Sequence, residues 1–296
     1  MNIIKPKKLT KGSSIRIIAP CGEIEKDKIT QGKTYLETLG YKVSLGENIF
    51  KADRYLAGSD EERIKDLEEA FADKDIDAII CARGGYGAIR IVNKINYEII
   101  KNNPKIFCGY SDISALSAAI FKNTGLITYS GPMLQTDFQP ASIEEFTLTN
   151  FFNVLSSEDI TIKPKEDKIY KSGEAEGILW GGNLATLASL CGTDLLPNND
   201  FILFTEDLNE PAYKIDRYFR QLLNSQAFKE NLKGIILGEF LDCDNYEYLD
   251  ELFYEIAKEM DIPVIGGYKI SHAGQKLTIP IGASAKLDEK EIIIKL

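Results

Sequence analysis

The stretch IDAIICARGGYG, residues 76–87, decides how the chain is read. Its first seven residues are nearly all apolar and rich in isoleucine. A half-exposed strand alternates polar and apolar residues, whereas a run like this one suits a strand buried on both faces of a parallel sheet. The glycine-rich turn RGGYG follows, and a helix is expected after it. Upstream, SIRIIAP (14–20) reads as another buried strand, residues 25–39 as a helix ending at Gly40, and YKVSL (41–45) as a strand. Ser59 with Glu62 forms a capping-box pattern opening a helix with Ile64, Leu67 and Phe71 on one face. Downstream come KIFCGY (105–110), a helix from about Asp112 to Lys122, and LITYS (126–130). This alternation predicts an α/β domain of flavodoxin-like type, a parallel sheet with helices on both faces.

Between about 138 and 172 the signal weakens, with Pro140 and the polar IKPKEDK at 162–168. The second half is more mixed. A Gly-Gly-Asn turn (181–183) precedes a strand at FILFTE (201–206), a helix through YKIDRYFRQLL (213–223) and a strand at GIILGEF (234–240). A helix near 245–259 and isoleucine-rich strands complete it. The expectation is an N-terminal domain over 1–140, a linker over 141–170, and a smaller, β-rich α/β domain over 171–296.

Composition narrows the function. Of 296 residues, 44% are hydrophobic and 27% charged, and the net charge is −10. With no basic stripe, nucleic acid and anionic membrane surfaces are poor partners. The N-terminal stretch lacks the apolar core of a signal peptide, and no apolar run approaches the roughly 20 residues of a membrane span. The five cysteines are scattered without a CxxC pair, which suits a reducing, cytoplasmic setting. The single histidine, His272, excludes a zinc site built on several histidines. Any imidazole base must therefore be His272.

In open α/β sheets, ligands bind beyond the carboxyl ends of the strands. Three features fall at such ends: Arg83-Gly84-Gly85-Tyr86-Gly87, Gly109-Tyr110-Ser111-Asp112 and Thr205-Glu206-Asp207. Ser111 stands between a strand and a helix, the geometry of a nucleophile elbow, with helix-terminal amides close to any oxyanion. The GxSxG pattern is half present, because Ile113 stands where the second glycine would be. The alternative is a helix N-cap, and spacing alone favours it. His272 lies in ISHAGQ, a polar break between strand-like segments. Glu206, at the end of FILFTE, is placed to orient an imidazole as the third member of a triad; Asp207 is equal to it by spacing, and either could simply cap the next turn. RGGYG lacks the signatures of a P-loop or dinucleotide fold. Its glycines suit a backbone that approaches an oxyanion, or an ordinary βα turn. Asn183 suits a helix cap, and Trp180, the only tryptophan, a pocket wall or core packing.

Six segments in order give the chain a wider likeness: KPKKLTKGSSIRIIAPCG at the start, CARGGYGAIR (81–90), GYSDISAL (109–116), GILWGGNLATLASLCGT (177–193), ILFTEDLNEPAYKIDRYFRQL (202–222) and SHAGQKLTIPIG (271–282). Together they resemble the serine L,D-carboxypeptidase family, which comprises murein tetrapeptide carboxypeptidases and microcin-immunity peptidases. The resemblance implies a triad of Ser111, Glu206 and His272, with an oxyanion hole from the backbone amides of Gly85 and Asp112. It also implies a site between the two domains, a homodimer, and no metal or cofactor. Arg83, whose guanidinium offers a fork for a terminal carboxylate, joins Tyr86, Trp180 and Asn183 as expected substrate contacts. Two positions depart from the family pattern: Ser271 stands where glycine commonly precedes the histidine, and Cys21 ends an APS-type stretch. The expected activity is release of a C-terminal D-alanine from murein tetrapeptides in cell-wall recycling. The alternative within the family is cleavage of peptidyl- or aminoacyl-nucleotide antibiotics; the non-enzymatic alternative is a peptide-binding protein.

Overall fold

A computed structural model describes residues 2–166 and 168–296; Met1 and Asp167, which fall in the expected first domain and linker, lie outside the described residues. The chain divides into two units, residues 1–157 with 278–280 and residues 158–277 with 281–296. In chain order the first carries β1 (Ser14–Ile18), α1 (Lys26–Thr38), β2 (Lys42–Leu45), α2 (Asp60–Ala72), β3 (Ala78–Cys81), α3 (Ala88–Ile91) and α4 (Tyr97–Asn102). It continues with β4 (Ile106–Cys108), α5 (Ile113–Thr124), β5 (Thr128–Ser130), α6 (Leu134–Asp137) and α7 (Glu145–Ser156). The later chain carries β6 (Asp159–Ile162), β7 (Lys168–Lys171), β8 (Ala175–Asn183), α8 (Leu184–Ala188), β9 (Phe201–Leu208), α9 (Ala212–Leu223) and α10 (Gln226–Asn231). It closes with β10 (Leu232–Leu241), α11 (Tyr246–Met260), β11 (Val264–Gly266), β12 (Ile279–Ile281), β13 (Ser284–Leu287) and β14 (Ile292–Lys295).

The first sheet runs β12-β5-β4-β3-β1-β2, and every pairing from β2 to β5 is parallel. All four residues of β3 are buried, as an apolar run without alternation requires. The capping box at Ser59 is present: its hydroxyl accepts from the Glu62 amide while the Glu62 carboxylate accepts from the Ser59 amide. With β1 between β2 and β3, chain order reverses between β1 and β3. That is the topological switch point, and the loops after these two strands, 19–23 and 82–87, lie at it. The helix expected after RGGYG is a single turn, α3, with α4 following.

The second sheet is mixed. Its order is β6-β14-β13-β8-β9-β10-β11-β7, with β8 through β11 parallel and the outer strands antiparallel. Residues 141–170, expected as a linker, hold α7, β6 and the start of β7. The helix forms because Phe151, Val154 and Leu155 share one buried face despite polar flanks. Among the described residues no helix is long and apolar enough to cross a membrane.

Candidate active site

The parallel sheet ends β4 at Cys108 and enters α5 through Gly109, Tyr110 and Ser111. Ser111 has φ of 62°, a left-handed conformation that costs an L-residue about 1–2 kcal/mol. The N-cap of α5 is Asp112, without a side-chain capping bond, so Ser111 is not the cap that its spacing suggested. Its backbone strain and its place after a strand match a nucleophile elbow. The turn is packed too closely for a side chain at 109: a Cβ there would stand 2.9 Å from Ile113 Cγ2 and 3.1 Å from Cys81 Cβ. Ile113 thus fills the place of the missing second glycine without disturbing the turn.

The RGGYG loop lies against this elbow. A Cβ on Gly84 would fall 2.9 Å from Ser111 Cβ, 3.1 Å from its Oγ and 3.3 Å from the Asp112 amide nitrogen. Only glycine leaves that space open. Gly85 has φ of 105°, outside the comfort of any side-chain-bearing residue. The loop is joined to the one after β1 by Gly22 N–H donating to the Gly84 carbonyl at 3.0 Å.

In the second unit, Glu206 lies near the end of β9 and is 3% exposed. Its Oε2 is 2.6 Å from His272 Nδ1. A carboxylate can only accept, so Nδ1 is the donor in this contact. The loop bearing His272 crosses the sheet at Gly238 of β10. A Cβ on Gly238 would run into the Ile270 carbonyl, and Glu239 N–H donates to that carbonyl at 2.9 Å. Ser271, buried, accepts from the Ala273 amide at 2.9 Å and so forms the turn around the histidine. The Ser271 departure therefore has a structural use.

Asp207 points the other way, as alternate strand residues do. Its carboxylate accepts from Asn183 Nδ2 (2.9 Å), the Ala185 amide (2.9 Å) and its neighbour Leu208 (2.8 Å). Burial pushes its carboxyl up to about 6, with the Glu206 charge adding to the rise. Asn183 caps α8 through the Thr186 amide at 3.1 Å. Trp180, expected as a substrate contact or core residue, is 2% exposed between Phe201 and Phe228, with ring centroids at 6.1 and 6.0 Å. The core takes it, and the substrate-wall expectation is corrected. Arg83 is half-buried, and its Nη1 donates to the Glu23 carbonyl at 3.1 Å. Tyr86 is exposed, edge-to-face with exposed Tyr55 at 5.7 Å. Cys21 is fully buried, and burial above all raises its thiol well beyond the usual range. Sequence reasoning missed Gly238, whose only signal was a glycine interrupting a strand.

The LD-carboxypeptidase N-terminal domain family matches residues 15–131, and the LD-carboxypeptidase C-terminal domain family matches residues 176–287. A probable murein peptide carboxypeptidase of Bacillus subtilis is 35% identical over 97% of this chain and 92% of that protein. An MccF-like protein of Bacillus anthracis superposes with a TM-score of 0.89 at 31% identity, covering 99% of each chain. A muramoyltetrapeptide carboxypeptidase of Oxalobacter formigenes gives 0.88 at 30% identity, covering 96% of this chain and 99% of the other.

Proposed function

The chain belongs to the LD-carboxypeptidase family, and from that premise we propose that it is a serine carboxypeptidase releasing a C-terminal D-amino acid, D-alanine, from murein tetrapeptides. The observation that carries the reading is the left-handed backbone of Ser111 at a strand-to-helix turn, with the glycine backbone of residue 84 beside its hydroxyl. Ser111 attacks the scissile carbonyl. His272 takes the hydroxyl proton on Nε2 and returns it to the departing amino group; Glu206 holds the tautomer and stabilises the imidazolium. The amides of Gly85 and Asp112 take the oxyanion, with the start of α5 supplying positive potential. Water then hydrolyses the acyl-serine by the same route. Arg83 is the residue offered for the terminal carboxylate.

The same reading has the protein acting in the cytoplasm as a homodimer; the five unpaired cysteines are compatible with a reducing compartment. Ser111→Ala should lower kcat by roughly 10⁴-fold or more, since a triad acts as a unit. Mass spectrometry of a muropeptide mixture reads it: undiminished D-alanine release by that variant sinks the proposal. One observation favours a second reading. Tyr55 and Tyr86 form an exposed aromatic pair, with Tyr86 inside RGGYG itself, and a nucleobase could stack there. Turnover of an acyl-sulfamoyl adenylate, with none of a muropeptide, would select the antibiotic-cleaving branch. Capture of Ser111 by a fluorophosphonate, lost in His272→Ala, would exclude a binding protein without catalysis.

A further inference from the structure

The proposed chemistry leaves two buried polar side chains beside the elbow unused, Arg63 and the carboxylate of Asp112. The Arg63 side chain, on α2, has no exposed surface, and Asp112 is 8% exposed. They grip one peptide group from its two ends. Arg63 Nη1 donates to the Gly87 carbonyl at 3.0 Å, and the Ala88 N–H donates to Asp112 Oδ2 at 2.8 Å. That carbonyl and that N–H belong to a single rigid plane, so the orientation of the last peptide of RGGYG is fixed. The same side chains reach the loop after β1. Arg63 Nη1 donates to the Pro20 carbonyl at 2.6 Å, and the Cys21 side chain lies beside the Asp112 carboxylate. Arg63 Nη2 is anchored on Asp60 at 2.5 Å, and Asp60 also holds Arg90 (2.9 Å) and Lys94 (2.7 Å). Gly87 admits the guanidinium, because a Cβ there would stand 2.7 Å from Arg63 Nη1.

Burying two charges costs several kcal/mol that only good geometry offsets. A turn that had merely to reverse the chain would not require it. What the pair adds is register between three things: the RGGYG loop, the loop after β1, and the elbow, since Asp112 is the residue next to Ser111. We propose that Arg63 and the Asp112 carboxylate are positioning residues that set the Gly84–Gly85 backbone against Ser111 before substrate arrives. The inference rests on Ser111 being the nucleophile.

The test compares Asp112→Asn, Cys21→Ala and Cys21→Ser with the full-length protein, and uses Ser111→Ala as control. Two rates are followed: D-alanine release from a muropeptide, and fluorophosphonate capture of Ser111, which needs no knowledge of the natural substrate. Asparagine keeps the size of Asp112 but weakens, or meets with a donor, the N–H that now donates to its carboxylate. Its kcat and capture rate should fall on the order of 10²-fold, the usual effect of a misplaced oxyanion donor, with KM within about threefold. Cys21→Ala should lose about three- to tenfold and Cys21→Ser should restore it, because serine refills the space beside the carboxylate with a group that can donate to it. A folded Asp112→Asn protein with wild-type kcat, or with only KM changed, overturns the proposal. Should that variant not fold, equal kcat in Cys21→Ala and wild type overturns it instead. Turnover by Ser111→Ala would remove the nucleophile reading itself; an inactive Ser111→Ala beside a fully active Asp112→Asn removes only the positioning role.

Discussion

Ser111 is held by its backbone, His272 by a side chain. The serine sits at φ of 62° on a turn fixed between β4 and α5, with glycine at 84 and 109 because nothing larger fits. The histidine sits on a loop, and a carboxylate holds its ring Nδ1 at 2.6 Å. A parallel sheet makes the first arrangement natural: every strand ends at the same edge, and a strand-to-helix turn aims its residue there. The second unit has no comparable elbow at residue 272. It borrows a strand-end acid, Glu206, and brings the loop across β10 at a glycine. The proposed nucleophile should thus tolerate changes of neighbouring side chains better than the proposed base does.

The largest expected effect follows from that dependence. Glu206→Gln should lower kcat by about 10²- to 10⁴-fold, because glutamine presents either a donor or a weaker acceptor to Nδ1 and so no longer fixes the tautomer. Asp207→Asn, one residue away, should leave kcat within about threefold while lowering stability by about 1–3 kcal/mol, through the Asn183 and Ala185 bonds it disturbs. Steady-state kinetics and denaturant melts on the two variants separate the roles. Equal losses of rate would erase the distinction between the two acids.

This is also where the sequence ran out. Glu206 and Asp207 are adjacent acids at a strand end, and spacing cannot say which face meets the histidine loop, because that loop comes from 66 residues further on. Arg63 was illegible for a similar reason. It is buried because two carbonyls from distant turns, Pro20 and Gly87, and the Asp60 carboxylate receive it. The insertion of β12 beside β5 could not be anticipated either, since it joins the first sheet from the far end of the chain. What was legible was local or periodic. The unalternating IDAIICA run gave a fully buried central strand, and Ser59 with Glu62 gave the helix start. For Ser111 the pattern located the turn but could not reveal its φ, which depends on how Gly109 packs on Cys81 and Ile113.

A second variant probes how the base is supported from behind. In Gly238→Ala the new methyl would meet the Ile270 carbonyl, so the segment leading into His272 must shift. Overpacking of this kind costs about 1–3 kcal/mol. It should also lower kcat by about tenfold or more, as small misplacements of catalytic groups do. The matching change near the nucleophile, Gly22→Ala, would place a Cβ 3.0 Å from the Gly84 carbonyl and 3.5 Å from Arg83 Nε. Its smaller clash should leave kcat nearer to wild type. A Gly238→Ala enzyme with full activity would mean that the placement of the ring does not depend on the segment at Ile270.

The smallest effect is the sharpest test of backbone against side chain, and it is read in stability alone. Both Ser111→Ala and Ser111→Gly remove the proposed nucleophile, so activity should not tell them apart. Alanine keeps the left-handed strain of about 1–2 kcal/mol, and glycine removes it. Glycine adds back roughly 0.5–1 kcal/mol of unfolded-chain entropy. Ser111→Gly should therefore be as stable as Ser111→Ala or more so, by up to about 1 kcal/mol. At 272 the order should reverse. His272 is not among the described residues with positive φ, so there is no strain for glycine to relieve. His272→Gly should be less stable than His272→Ala by roughly 0.5–1 kcal/mol. Paired urea melts of the four variants give the two differences with the denatured-state terms largely cancelling. Differences of the same sign at both positions would mean that the turn at 111 relaxes once its hydroxyl is gone, and that the serine, like the histidine, is held by what its side chain touches.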